Sequence, residues 1–290
     1  MLIEYLKLIR PKEWVKNLFV LIPAFFAAQI QTIWTSPNLI AAFCCFCLMA
    51  SSVYMINDVN DLASDRLHPH KKNRPLAAGK IAPIYAIILA LVFASVSLIG
   101  CYLISINAFL LIAIYFVINI AYSFGLKNYA IIDILIIAEG FLLRIFIGGS
   151  VIDVVVSKWL VLMVFLLSLI LAFGKRRDDF LLMQEDADKK MRTSIHGYNL
   201  PFIDAAVLLL SIISIVVYIL YTVSDDISNR LHTNYFYLTS FPVIVGFLRY
   251  LQQIHVFNNT GSPTSLLLKD RVIQITLLLW VLSIYFFIYA

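Results

Sequence analysis

Residues 57–65 read N-D-V-N-D-L-A-S-D, and the spacing of the acids is that of a helix. Asp58, Asp61 and Asp65 stand at i, i+3 and i+7, and Asn57, Asp61 and Asp65 at i, i+4 and i+8. If the apolar helix before them runs on, these side chains share one face. Three carboxylates on one face repel each other and hold protons unless a positive charge lies between them. A divalent cation meets that need. Mg²⁺ prefers oxygen ligands and commonly takes one or two carboxylates together with substrate phosphate oxygens. Lys71, Lys72 and Arg74 follow in a K-K-x-R-P run and could hold phosphate directly. The bland alternative is a solvated acidic helix end followed by basic residues that anchor a membrane protein on its cytoplasmic side. The full N-D-x-x-D-x-x-x-D run with the basic cluster behind it favours a metal–diphosphate site.

The elements that must position this stretch are membrane helices. The chain has 290 residues, is 62% hydrophobic and only 13% charged, where soluble domains run near a quarter charged. The apolar segments are continuous rather than alternating, which points to helices and not to a barrel. Apolar runs at about 17–35, 38–56, 81–104, 107–122, 130–150, 157–173, 201–223, 233–255 and 270–289 predict about nine transmembrane helices. The expectation is an all-α polytopic bundle, one domain over residues 1–290. The basic start, M-L-I-E-Y-L-K-L-I-R-P-K-E-W-V-K-N, is read as leading into a true span, not as a cleavable signal peptide.

Nineteen of the 22 Lys and Arg residues fall on one side of that nine-span path; Lys158 and Arg230 fall on the other, and Arg144 lies inside a span. The basic side is expected to be cytoplasmic, in the cell membrane, with the N-terminus on it and the C-terminus on the other side. The +5 net charge is thus a topology signal, and no nucleic-acid partner is expected. Cys44, Cys45, Cys47 and Cys101 all sit in predicted spans and are read as packing residues.

Further candidates lie elsewhere in the chain. Asp133, Gly140 and Arg144 fall on one stripe of the fifth predicted span, with Lys127 just before it. Ionisable groups in a span usually face a cavity or a partner. Asp133 is read as a cavity carboxylate near the sugar or metal, Lys127 as a phosphate ligand and Arg144 as a substrate-binding residue; the alternatives are a structural ion pair and, for Arg144, snorkelling to the outer face. Glu139 lies off the stripe and receives no role. Arg10, Lys16 and Asn17 open the first span, and Trp14 reads as an interfacial anchor. His68 and His70 do not make a zinc site without a third ligand. His196 and Tyr198 could order a loop over the site.

The stretch N-D-V-N-D-L-A-S-D-R-L-H-P-H-K-K-N-R-P-L-A-A-G resembles the first aspartate-rich motif of the UbiA superfamily of intramembrane prenyltransferases, and the resemblance extends over essentially the whole chain. It implies a nine-helix bundle with a cytoplasmic polar cavity and Mg²⁺–diphosphate bound by Asn57, Asp58, Asp61 and Asp65. Three further segments, L-I-R-P-K-E-W-V-K-N, Y-S-F-G-L-K-N-Y-A-I-I-D and F-G-K-R-R-D-D-F, are similar to one subgroup, the polyprenyl-phosphate phosphoribosyltransferases. The sixth loop lacks the second D-x-x-x-D of aromatic prenyltransferases and opens with Lys175, Arg176 and Arg177. Phosphoribosyl diphosphate with a lipid phosphate presents more phosphate than a prenyl diphosphate, which suits extra cations.

The resemblance therefore implies an Mg²⁺-dependent transferase for envelope biosynthesis that moves 5-phosphoribose from phosphoribosyl diphosphate to a decaprenyl-type phosphate. Asp61, Asp65 and Asp133 are its expected catalytic residues. Asn57, Asp58, Asp61, Asp65 and Asp179 are the expected metal ligands. Lys16, Asn17, Lys71, Arg74, Lys127, Arg144, Lys175 and Arg176 are expected at the substrates, and a homo-oligomer is left open. The alternatives are a prenyl-diphosphate-dependent enzyme acting on an aromatic acceptor, and a transporter or scaffold with no enzymatic activity.

Overall fold

The structure is a computed structural model that describes residues 2–67, 71–185, 197–257, 266 and 269–289. The described chain is helical throughout and forms two compact units, the first built on Met1–Val156 and the second on Ser157–Asp186 and Ile195–Ala290. Among the described residues, seven helices are long and apolar enough to cross a membrane.

The first unit opens with α1 (Leu2–Ile9), a 3-10 helix over Pro11–Leu21, α2 (Ile22–Phe26) and α3 (Thr32–Thr35). The long helices are α4 (Pro37–Asn60), α6 (Pro83–Ile104), α7 (Ile106–Phe124) and α8 (Ile132–Val151), with the short α5 (Leu62–Leu67) after α4. Local sequence sets their starts. Pro37 and Pro83 occupy first-turn positions, where a missing N–H costs nothing. Ser36 and Ser105 accept from the backbone N–H of Leu39 and Ala108 at 3.3 and 3.1 Å, ordinary N-caps.

α4 and α6 pack along small residues. Ala86, Ala90, Ala94, Ser97 and Cys101 form the buried stripe of α6, which lets the backbones approach closely. The Ser52 hydroxyl donates to the Ala90 carbonyl at 2.7 Å, and Ser97 donates to the Cys45 carbonyl at 2.8 Å. The other face of α6 exposes Ile88, Leu91, Val92, Val96 and Ile99, a surface suited to lipid. α4 and α8 are the inner helices of this unit, with 61% and 56% of their apolar windows buried, against 22% for α6 and α7.

The first predicted span, 17–35, is not one α-helix. It begins inside a 3-10 helix of eleven residues, Pro11–Leu21, which starts six residues earlier, and goes on through α2 and α3; that 3-10 helix is long for a geometry normally used in short pieces. At about 2 Å rise per residue this segment with α2 covers about 30 Å, as far as a twenty-residue α-helix. At three residues per turn, positions three apart eclipse. Trp14, Asn17 and Val20 therefore line one face: Trp14 Nε1 donates to Ser51 Oγ at 3.0 Å, and Asn17 Nδ2 to Cys47 Sγ at 3.2 Å. Val20 meets α8 at Gly148, where an added Cβ would stand 1.8 Å from the Val20 carbonyl oxygen.

The second unit contains α9 (Lys158–Glu185), α10 (Leu200–Thr222), α11 (Asp225–Leu231), α12 (Ser240–His255) and α13 (Arg271–Tyr289). The eighth predicted span, 233–255, is a 3-10 turn at Phe236–Thr239 followed by the sixteen-residue α12. Trp280 Nε1 donates to the Tyr218 hydroxyl at 2.8 Å, and that hydroxyl lies 2.8 Å from Thr239 Oγ1, joining α13 to α10 and the 3-10 turn. Asp270 caps α13 by accepting from Ile273 N at 2.9 Å and takes Arg249 and Gln253 at 2.6–3.0 Å. The Arg249 guanidinium holds its carboxyl below the ordinary aspartate range.

Candidate active site

The expectation that α4 continues past residue 56 holds. α4 runs to Asn60, Asp61 ends it, and α5 carries Asp65 one turn on. Asp61 N donates to the Asn57 carbonyl at 2.9 Å and Asp65 N to the Asp61 carbonyl at 2.8 Å, so the break at Asp61 preserves the helical stacking of the acids. Asn60 Nδ2 donates to the Ser123 carbonyl at 2.7 Å and ties this end of α4 to the end of α7.

Each acid meets a cation of the same unit. Arg74 Nη1 lies 2.9 Å from Asp58 Oδ1 and 2.5 Å from Asp65 Oδ2, so a single positive nitrogen bridges two carboxylates. Arg10 Nη2 reaches both oxygens of Asp58, at 2.5 and 2.6 Å, and its guanidinium lies 5.1 Å from the centre of the Tyr54 ring. The Lys127 ammonium donates to Asp61, to which Asn57 Nδ2 also donates at 3.0 Å. Asp58 and Asp65 are both 3% exposed. Three acids and three bases thus compensate one another at little contact with water, where charges go only in pairs.

Backbone conformation aims these cations. Arg10 lies between α1 and Pro11, and proline disfavours right-handed helix in the residue before it. Arg10 takes φ 57°, ψ 56°, a left-handed conformation uncommon outside glycine. Arg74 closes the 3-10 turn Lys71–Asn73 with its N–H on the Lys71 carbonyl at 2.9 Å. Lys127, 8% exposed, lies in the 3-10 turn Leu126–Asn128 that follows α7. Asp133 is fully buried in the first turn of α8, just after Ile131 at φ 69°.

The structure thus gathers Asn57, Asp58, Asp61, Asp65, Arg74 and Lys127, with Lys71 on the adjoining turn. It adds Arg10, which the sequence reading placed at the start of the first span without a role at the site. The signal was its place in the R-P-K-E-W-V-K-N string, but a pairing across 48 residues is not readable from spacing.

Three expected ligands are placed elsewhere. Lys16 pairs with Glu13 at 2.6 Å. Asn17 is fully buried and accepts from Arg144 Nε at 2.9 Å. Arg144 lies eleven residues into α8 from Asp133, about 16 Å along the axis, and does not snorkel outward. Its Nη1 donates to the Gly140 carbonyl at 2.6 Å, and the guanidinium stands 4.5, 5.2 and 5.5 Å from the ring centres of Phe46, Tyr115 and Phe141. This is an aromatic box three turns inside the unit.

In the second unit, Arg176 is 1% exposed and pairs with Asp179 at 2.7 Å, while the neighbouring Arg177 pairs with Asp204 at 2.6 Å. Lys175 is exposed. Tyr198 is buried and stacks on Phe202 at 6.1 Å. His68, His70 and His196 lie outside the described residues.

Among the described residues no three acidic, imidazole or thiol groups form a ready metal cage. The donor set still suits a hard cation. The available ligands are carboxylate and amide oxygens, and the point between Asp58 and Asp65 already accommodates a positive nitrogen. Mg²⁺ needs only one or two carboxylates when phosphate and water complete its shell.

Known proteins resemble this chain over nearly its whole length. The chain is 35% identical to the decaprenyl-phosphate phosphoribosyltransferase of Mycolicibacterium smegmatis over 95% of its length and 89% of that protein. It is 31% identical to the protein of that name from Corynebacterium glutamicum, over 98% of this chain and 86% of the relative. A UbiA homolog from Archaeoglobus fulgidus, solved with DMAPP and Mg²⁺, matches the fold with a TM-score of 0.72 at 20% identity, covering 98% of this chain and 99% of its own. Residues 17–255 match the model of the UbiA prenyltransferase family. With that match spanning most of its length, the chain belongs to the UbiA prenyltransferase family.

Proposed function

We propose that this protein transfers 5-phosphoribose from phosphoribosyl diphosphate to a polyprenyl phosphate of the decaprenyl type, releasing diphosphate. The observation that carries the reading is the pairing of Asp58, Asp61 and Asp65 with Arg10, Arg74 and Lys127 in one part-buried cluster. Relatives of 30–35% identity named for this reaction support it.

Asp58, Asp61 and Asp65, with Asn57, are the residues that would hold Mg²⁺, and the ion would supply charge neutralisation to the diphosphate. Lys71, Arg74 and Lys127 hold its phosphate oxygens. An oxygen of the lipid phosphate forms the new bond to the anomeric carbon, and the bond from that carbon to diphosphate breaks with its electron pair leaving on diphosphate. A phosphate monoester is ionised near neutral pH, so the nucleophile needs no strong base. The catalytic role of Asp133, which is fully buried in the first turn of α8, rests on the sequence reading. Catalysis is mainly positioning and charge stabilisation. Roles for Lys175 and Arg176 on phosphate and for Asp179 on metal rest on sequence resemblance, as does the reading of residues 1–290 as one domain. The active face is cytoplasmic, in the cell membrane, because the basic residues cluster there.

The test uses purified protein in lipid nanodiscs with Mg²⁺, polyprenyl phosphate and phosphoribosyl diphosphate labelled in the ribose. Label is expected in the organic phase and is expected to fall at least a hundredfold in Asp61→Asn. Absence of label, with turnover of a prenyl diphosphate and an aromatic acid instead, would replace the donor and keep the site.

A further inference from the structure

The acids expected to hold the metal are occupied by the chain's own cations, and those cations are only partly used. Arg10 contacts Asp58 through Nη2 alone, and Arg74 contacts Asp58 and Asp65 through Nη1 alone, among the described residues. Their side chains are 22% and 27% exposed, while the carboxylates they cover are 4% exposed. An anion arriving from solvent therefore meets guanidinium N–H groups before it meets carboxylate. A divalent cation arriving alone meets the guanidinium that already bridges Asp58 and Asp65. Displacing Arg74 would leave its charge beside a new one, at a site with little water to screen either.

Charge balance sharpens the asymmetry. The cluster is neutral as three acids against three bases. A divalent ion alone adds two positive charges, whereas a divalent ion with diphosphate adds none or a net negative charge. Diphosphate also gives the displaced guanidinium groups bidentate partners of the geometry they favour.

From this, and resting on the reading that the site takes a metal–diphosphate, we infer that Arg10 and Arg74 are exchange cations. They compete with the metal for Asp58 and Asp65 until a diphosphate draws them onto its own oxygens, so metal and diphosphate bind as a coupled pair. The left-handed backbone of Arg10, at the junction of α1 and the 3-10 helix, is the point about which its side chain can be re-aimed without moving either helix.

The test reads metal binding directly, by electron paramagnetic resonance of Mn²⁺ with the full chain in nanodiscs and inorganic diphosphate as the anion. Free Mn²⁺–diphosphate is subtracted with empty nanodiscs. Mn²⁺ affinity is expected to rise roughly tenfold or more when diphosphate is present, within the usual span of coupling between sites. Arg74→Gln and Arg10→Gln are expected to bind Mn²⁺ more tightly than the wild type without diphosphate, and to lose most of the diphosphate-induced gain. Arg74→Lys, which keeps the charge, checks that the Gln variants report competition and not misfolding; it is expected to retain weak binding of Mn²⁺ alone. A wild type that binds Mn²⁺ equally well with and without diphosphate would overturn the inference, as would Gln variants that bind Mn²⁺ no better. Inorganic diphosphate is common to both candidate donors, so the result is independent of whether the labelled-ribose assay succeeds.

Discussion

Arg144 and Arg74 show how one residue type serves two purposes. Arg74 is bound to two carboxylates and is a quarter exposed. Among the described residues Arg144 meets no carboxylate; it is held by three aromatic rings, one amide oxygen and one backbone carbonyl. Its depth, about three turns below the acid cluster, separates it from any diphosphate held there. Arg144→Met should therefore cost stability, about 1–3 kcal/mol from the lost cation–π and hydrogen-bond terms. The KM for phosphoribosyl diphosphate should stay within about twofold, because uniform substrate binding is untouched. Thermal unfolding in detergent and steady-state kinetics on the same preparation check both; a large rise in KM at unchanged stability would return Arg144 to the substrate site. The acids were legible from sequence because helical spacing alone puts Asp58, Asp61 and Asp65 on one face. Their partners were legible only as a pool of nearby bases. Which base meets which acid depends on where the 3-10 turns and the left-handed Arg10 point them, and single residues do not encode that.

Among the elements, the 3-10 helix Pro11–Leu21 has the greatest consequence for the site, since it places Arg10 at one end and Asn17 against α8. The apolar runs gave the positions of the seven long helices to within a few residues, apart from α9, which extends well past the predicted 173 to Glu185. They could not distinguish this segment from an α-helix, because apolar content is the same for both and only the period differs. Its close packing on α8 depends on Gly148. A Cβ there would stand 1.8 Å from the Val20 carbonyl oxygen and 2.8 Å from its carbon, and neither backbone atom can move aside cheaply. Gly148→Ala is expected to cost about 2–4 kcal/mol, at or above the usual range for overpacking, and to lower Mn²⁺–diphosphate binding as the 3-10 helix shifts Arg10. Gly125→Ala is the control: nothing lies within 4 Å of its added Cβ, so stability should change by less than about 1 kcal/mol. Equal melting temperatures for the two variants would show that the close approach is not needed.

At the scale of the whole molecule, composition determined the class. A chain 62% hydrophobic and 13% charged cannot cover itself with polar surface, and its helices expose long apolar faces instead. Each unit holds compensated ion pairs, Asp58 with Arg10 and Arg74 in the first and Arg177 with Asp204 in the second, and this governs what metal does for the protein. In a zinc finger the metal holds the fold, because its ligands have no other partners and binding energy is folding energy. Here Asp58, Asp61 and Asp65 already have Arg10, Arg74 and Lys127, so these acids do not depend on metal for a counter-charge. Chelation with EDTA should abolish phosphoribosyl transfer while shifting the unfolding temperature by less than about 2 °C, since a ligand stabilises only by its occupancy of the folded state. Mg²⁺ added alone at millimolar concentration should likewise do little. Mg²⁺ with diphosphate should raise the unfolding temperature by several degrees, because the coupled pair binds the folded chain and not the unfolded one. Differential scanning fluorimetry in the same detergent separates the outcomes. A large drop with EDTA would mean that metal is structural and that the internal ion pairs do not suffice to balance the site.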